Sequence, residues 1–315
     1  MIANSMNWIF TWVITSPKYI PMGIVSAGSF HYFHPLSQLL WLVSEEVERE
    51  FHRLVPDWLA GKIRCHSVVG AGEDRIHASR RLRLSVTEHV SGDIVAVDAD
   101  ILCMGKIDVS PEDIPIIGAC PNRDNDGNWS YDTKMTASRE LYASAGWEWP
   151  CSESRPYLNA GLVFYRNKLE SREFGRMWKK NRDEFFTRTG KYFDQPAFNK
   201  SAAETGWVKV LDEKLNAPVN VLPRSAKRAI CYHYYVSGGE DSLFKTTALG
   251  CLAHKLAATG SLDRNETKEL LDKKQPFVGW GAQEQQYWHA GQWRNYAERK
   301  LRVGWDHLKK KLKGA

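Results

Sequence analysis

A chain of 315 residues, 43% hydrophobic and 25% charged, has the composition of a globular protein, with room for one large α/β domain and appendages or for two modest domains. No uninterrupted apolar run approaches the roughly 20 residues of a bilayer-spanning helix, which excludes a transmembrane segment. The net charge of +6 sits at one end: from Arg294 to Ala315 there are eight Lys or Arg against two acids, so the rest of the chain is neutral.

The apolar stretch 8–15 reads as a buried first strand. Lys18 and Pro21 follow it and no basic segment precedes it, so it is not a signal peptide, and the expected location is cytoplasmic. Ser16-Pro17 makes a turn, and 19–33 is a helix that ends before Pro35. Residues 39–43 form a second apolar run, 45–55 a charged helix and 75–90 a further helix. A strand over 92–97 and another over 114–119 come next. Residues 122–149, rich in Asp, Asn, Gly and Ser, read as a long loop. Beyond it lie a strand at 158–165, an aromatic-rich helix at 172–187, short strands and turns at 208–222, and helices at 243–258 and 266–274. Strands alternating with helices predict an α/β fold with a mixed, mainly parallel central sheet flanked by helices. The expected division is an α/β domain over 1–238 and a helical, Trp-rich, basic extension over 239–315.

Cysteines at 65, 103, 120, 151, 231 and 251 are too scattered for a disulfide scaffold and lack the spacing of structural zinc fingers, although His66 and His233 lie close to two of them.

The run from Gly92 to Asp100 carries the clearest chemistry. The β-branched Ile94, Val95 and Val97 lead into Asp98 and Asp100, and strand residues i and i+2 share a face. Two hard oxygen ligands at the carboxyl edge of a buried strand suit a divalent ion that bridges nucleotide phosphates. About one such triplet is expected by chance in a chain of this length, so the weight rests on the buried strand that presents it. A second constellation lies between 157 and 195. Asn159 and Gly161 open a strand-like run, and Asp194-Gln195-Pro196 starts a helix. Amides bond sugar hydroxyls, and a glycine lets a ligand approach the backbone. The plainer alternatives are a helix cap for Asp194, a turn residue for Asn159 and a packed side chain for His233.

Taken in order, Val13-Ile14-Thr15-Ser16-Pro17-Lys18-Tyr19, Val97-Asp98-Ala99-Asp100, Leu158-Asn159-Ala160-Gly161, Asp194-Gln195 and the late His233 resemble the GT-A glycosyltransferases. The similarity is greatest to family 8, the glycogenin and lipopolysaccharide galactosyltransferase-like group, and spans roughly three quarters of the chain. The resemblance implies a Rossmann-like fold and transfer of a sugar from a UDP-sugar to an acceptor hydroxyl, with retention. It also implies that Thr15 and Tyr19 contact the uridine and that Asp98 touches the ribose or the metal. Asp100 and His233 would ligate the ion. Arg81, with Arg80 and Arg83 beside it, would hold the diphosphate or the donor sugar. Asn159, Asp194 and Gln195 would line the sugar pocket, with Asp194 or Gln195 beneath the sugar ring. Lys245 would contact the diphosphate. The family has glycine three residues after its histidine, whereas here Gly238 stands five after His233. An imidazole beside two carboxylates favours Mn2+ over Mg2+.

The acceptor is open between a glycan, a glycolipid and a hydroxylated nucleic acid base. Leu301, Trp305, Leu308 and Leu312 make an amphipathic stripe beside Lys309, Lys310, Lys311 and Lys313, suited to an anionic membrane, to DNA or to the protein body. Thirteen tryptophans, among them 280, 288, 293 and 305, offer stacking surfaces. A non-catalytic nucleotide-sugar-binding protein and a nucleotidyltransferase are the competing readings.

Overall fold

In the computed structural model the described residues are 8–69, 75–122, 136–152, 155–219, 228–235 and 244–278, with single helical positions between 293 and 305. β1 (Ile9–Ile14) passes through a 3-10 turn, Pro17–Tyr19, into α1 (Ile20–Phe33). β2 (Gln38–Ser44) runs straight into α2 (Glu45–Leu54), because the Ser44 hydroxyl caps the helix and three glutamates fill its first turn. β3 (Ile63–Val69), α3 (Arg75–Leu84), the short α4 (Val86–His89) and β4 (Ile94–Val97) follow. These four strands pair in parallel, with Trp12 of β1 opposite Trp41 on one side and Val97 on the other. β5 (Ile101–Cys103) then leaves the sheet.

β6 (Ile117–Pro121), α5 (Thr136–Ser144), β7 (Leu158–Tyr165), α6 (Leu169–Thr189), α7 (Gln195–Thr205) and β8 (Val208–Val210) complete the main sheet. Its order is β3-β2-β1-β4-β7-β6-β8, with β7 antiparallel to both β4 and β6. This is the mixed, mainly parallel sheet that the sequence predicts. A 3-10 turn, Glu213–Asn216, leads into β9 (Ala217–Pro218) and later β10 (Cys231–His233), which join β5 in a second, three-stranded sheet. α8 (Ala248–Thr259) and α9 (Arg264–Asp272) end the continuous part of the structure.

The pleat of β1 divides the core. Trp8 and, in the strand, Phe10, Trp12 and Ile14 enter the layer that holds α1, while Ile9 and Val13 face the layer built on Phe174, Trp178 and Phe198 of α6 and α7. α1 is buried on almost every side, with Phe30 edge-on to Trp12 at 5.3 Å between ring centres. Its serines serve the second sheet. Ser26 accepts from Trp12 Nε1 at 3.0 Å and donates to the Ile101 carbonyl, and Ser29 accepts from Cys103 N at 2.9 Å. β5 is thus fastened through buried polar atoms that are all paired. Leu249, Leu252 and Leu256 of α8 belong to the same apolar cluster as α1. Hydrogen bonds from Trp58 to the Leu262 carbonyl (2.9 Å) and from Tyr234 to the Pro276 carbonyl (3.0 Å) fasten residues 248–278 to the rest.

Three local expectations change. The helix expected over 75–90 is interrupted at Ser85, whose N–H is shared between the Arg81 and Leu82 carbonyls. The loop expected over 122–149 contains α5, because Tyr142 is buried at 1% exposure and its ring meets Trp147, Trp149 and Tyr157. Residues 63–69, which carry no strong apolar signal, form an edge strand. All six cysteines are free thiols. Among the described residues no helix is long and apolar enough to cross a membrane. Leu301 and Trp305 of the basic stripe are exposed, while Leu308, Leu312 and the four lysines, like Trp280 and Trp288, lie outside the described residues.

Since α8 shares its leucines with the core around α1, Leu256→Ala should lower stability by about 2–5 kcal/mol, seen as a shifted urea midpoint without a change of slope.

Candidate functional site

β4 stops at Val97, so Asp98 and Asp100 belong to a turn and not to the strand itself. Asp98 N–H donates to the Gly161 carbonyl of β7 at 2.8 Å, and Ile101 N–H closes the turn on the Asp98 carbonyl at 3.1 Å. The two carboxylates converge through this turn rather than through the pleat. The same turn throws β5 against β10, where Ile101 stands opposite His233 and Tyr234 N–H donates to the Asp100 carbonyl at 3.1 Å. His233 Nε2 is therefore 3.4 Å from Asp100 Oδ1. One ligand atom each from Asp98, Asp100 and His233 fall within 4.8 Å of one another, the one such group among the described residues.

Gly161 explains how the imidazole fits. A Cβ at that position would lie 2.4 Å from His233 Cε1 and 2.9 Å from Asn159 Oδ1. The close approach that the motif provides is therefore taken by the histidine ring. Tyr235 meets the ring edge-on at 4.4 Å, holding a left-handed φ of 49°. Asn159 is 3% exposed, and its amide is fully engaged inside the protein. Its oxygen accepts from Gly161 N–H (2.7 Å) and Asn216 Nδ2 (2.9 Å), and its nitrogen donates to Asn122 Oδ1 and Tyr235 OH, both at 3.0 Å. Asn159 is thus linked to the histidine through Asn216, whose Oδ1 lies 2.9 Å from His233 Nδ1.

The opposite flank is ionic. Arg83 Nη2 lies 2.9 Å from Asp98 Oδ2, and its other terminal nitrogen is 3.4 Å from Asp194 Oδ2, which Arg80 also reaches at 2.7 Å. Burial pushes Asp98 up to about 6; the Arg83 guanidinium opposes this rise and the charge of Asp100 adds to it. Burial acts upward on Asp194 too, but Arg83 and Arg80 together outweigh it and hold that carboxyl below its ordinary value. Asp194 occupies the N-cap position of α7, yet its side chain makes no capping bond, since both arginines take it. Its carbonyl accepts from Trp178 Nε1 at 2.9 Å, which fixes the backbone. Gln195, half-buried beside it, has no side-chain hydrogen-bond partner among the described residues.

Thr15 and Tyr19 follow β1 at the same sheet edge as Asp98 and Asp100. Thr15 Oγ1 donates to the Arg75 carbonyl at 2.8 Å, and the Tyr19 ring, half-buried, has the Lys18 ammonium 4.9 Å from its centre. Of the basic residues on α3, Arg80 and Arg83 reach the acids, one helical turn apart on one face, while the charge of Arg81 acts on His89. Lys245 is exposed in a 3-10 turn, Phe244–Thr246, where its charge acts on His254. Asn122, Asn216 and Tyr235 have no counterpart in the sequence reading. An asparagine between the apolar Leu215 and Ala217 is the faint signal that could have marked one of them.

No family model matches this sequence, and no curated protein is significantly similar to it. Solved structures are. The galactosyltransferase LgtC, in complex with donor and acceptor sugar analogs, superposes with a TM-score of 0.52 at 17% identity, over 84% of this chain and 95% of that one. The bifunctional glycosyltransferase WbbM gives a TM-score of 0.55 at 11% identity, over 87% of this chain and 52% of that one. This chain has the GT-A glycosyltransferase fold. In this GT-A chain the acid-and-histidine cluster stands at the carboxyl edge of β4, the side of an open α/β sheet where ligands bind.

A Gly161→Ala chain should keep its secondary structure and lose at least about tenfold in Mn2+ affinity by titration, as the added methyl displaces the imidazole. Asp98 must also lose its proton to ligate. Mn2+ affinity should therefore climb as pH rises through about 6; an affinity flat across that range would contradict a metal role for Asp98.

Proposed function

We propose that the protein is a metal-dependent glycosyltransferase that moves a sugar from a UDP-sugar to an acceptor hydroxyl, with retention at the anomeric carbon. The observation that carries this reading is the convergence of Asp98, Asp100 and His233 at the carboxyl edge of β4 in a GT-A fold. The donor set suits a divalent ion: two carboxylates, that of Asp100 buried, and one buried imidazole match Mn2+ better than the harder Mg2+. When bound, such an ion supplies Lewis-acid stabilisation of the charge that grows on the departing diphosphate.

The chain's own residues account for the rest. Asp98 and Asp100 hold the ion with His233, and Arg83 keeps Asp98 in place from the far side. Asp194, ionised between two guanidiniums, is poorly suited to take up a proton, so its part is to hold Arg80 and Arg83 at the pocket wall. Gln195 offers a free amide to the sugar hydroxyls. Thr15 and Tyr19, which follow β1 at the same sheet edge, are our candidates for contact with a uridine joined to that diphosphate, with Tyr19 as the stacking ring. Asn159 acts through the histidine rather than on the sugar.

The test is release of UDP from a panel of UDP-sugars by the purified full chain with Mn2+. Release is expected with at least one donor, and Asp100→Ala should abolish it while the circular dichroism spectrum stays unchanged. Turnover that persists after the ion is chelated overturns the reading.

A further inference from the structure

His233 can offer a cation only the ring nitrogen that the protein does not take, and a chain of amides decides which one that is. The chain starts at a group of unambiguous character. Gly161 N–H can only donate, so the atom of Asn159 that it meets at 2.7 Å is the amide oxygen. The atom of Asn216 that meets the same oxygen at 2.9 Å must be its nitrogen. Asn216 then turns its own oxygen to His233 Nδ1, 2.9 Å away, and an oxygen without hydrogen can only accept. Nδ1 therefore carries a proton, and in the neutral ring the lone pair belongs to Nε2, on the side of Asp100. Asn216 is 1% exposed at the end of its 3-10 turn, so no water substitutes for it. Gly161 and Tyr235 bound the ring, and Tyr235 OH, 2.8 Å from Asn122 Oδ1, is tied into the same network.

We propose that Asn216 is a positioning residue for the metal: it fixes His233 with Nδ1–H inward and Nε2 committed to a divalent cation held with Asp98 and Asp100. The inference rests on the metal reading of that trio. A ring free to choose its tautomer would present a protonated Nε2 part of the time, and each such state excludes the ion.

The test uses Mn2+ alone on the full chain, with free Mn2+ followed by electron paramagnetic resonance, and 15N spectra of histidine-labelled protein assigned with His233→Ala. Asn216→Leu, close in size but with no acceptor, should bind Mn2+ about 10–100-fold more weakly and lose the Nδ1–H tautomer of His233. Asn216→Asp, which keeps an acceptor towards His233 and loses the donor to Asn159, should be less stable yet bind Mn2+ within a few-fold of the wild type. Equal affinity in Asn216→Leu and wild type overturns the proposal, and so does a wild-type ring protonated on Nε2 alone, a result that needs no variant to fold. A wild-type chain that binds no Mn2+, or a His233→Ala chain that binds it as tightly, overturns the metal reading instead.

Discussion

Two carboxylates, brought with an imidazole within 4.8 Å of one another and largely out of water, repel each other unless positive charge is supplied between them. Much of the surrounding structure answers that constraint. On one side Arg83 divides its guanidinium between Asp98 and Asp194, and Arg80 reinforces the second pair, so the flank is neutralised by groups that cannot leave. On the other side neutral amides orient the histidine without adding charge, which leaves the centre of the cluster for a cation. An arrangement of this kind is poor as a stabilising device, since burying ionised groups costs more than their pairing returns. It is well suited to holding an ion in one place.

The scaffold makes this precise by attaching the site to rigid elements on every side. The turn from Asp98 to Asp100 is fixed to β7 through Gly161, β5 is fixed to α1 through Ser26 and Ser29, and β10 is fixed to β5 by its antiparallel register. Aromatic packing then makes the supports stiff, with Trp12 and Phe30 on one side of the main sheet and Trp178 and Phe198 on the other. The small second sheet, with strands of two and three residues, would not stand alone. It exists because α1 and the 3-10 turn before β9 pack against it, and what it provides is the placement of His233.

Legibility differed from residue to residue. The apolar run into Asp98 announced an acidic sheet edge, because β-branched residues without polar interruption suit a strand buried on both faces. The two carboxylates nevertheless meet through a turn and not through the pleat, as β4 ends at Val97. Asn159 and Gly161 stood out in sequence as polar and small residues beside a buried strand, and both do belong to the cluster, although their contacts are with His233 and Asn216 and not with open space. Arg80, Arg81 and Arg83 of α3 stand together in the sequence, but choosing among them needs the rotation of the helix against the sheet, which composition does not encode. α5 was hidden in a polar segment because its burial rests on Tyr142 and on tryptophans outside the helix.

The alternation of strands and helices, the mixed α/β class and the edge at which acidic chemistry would appear are written in the residue pattern, since hydrophobic period and run length act over a few neighbouring residues. That His233 meets Asp100, that Arg83 and Arg80 reach Asp194, and that Asn216 bonds the imidazole are visible in the folded chain alone. Those meetings depend on strand register and helix rotation across segments far apart in the chain. Register and rotation are set by the packing of the whole core, and no local pattern of residues carries them.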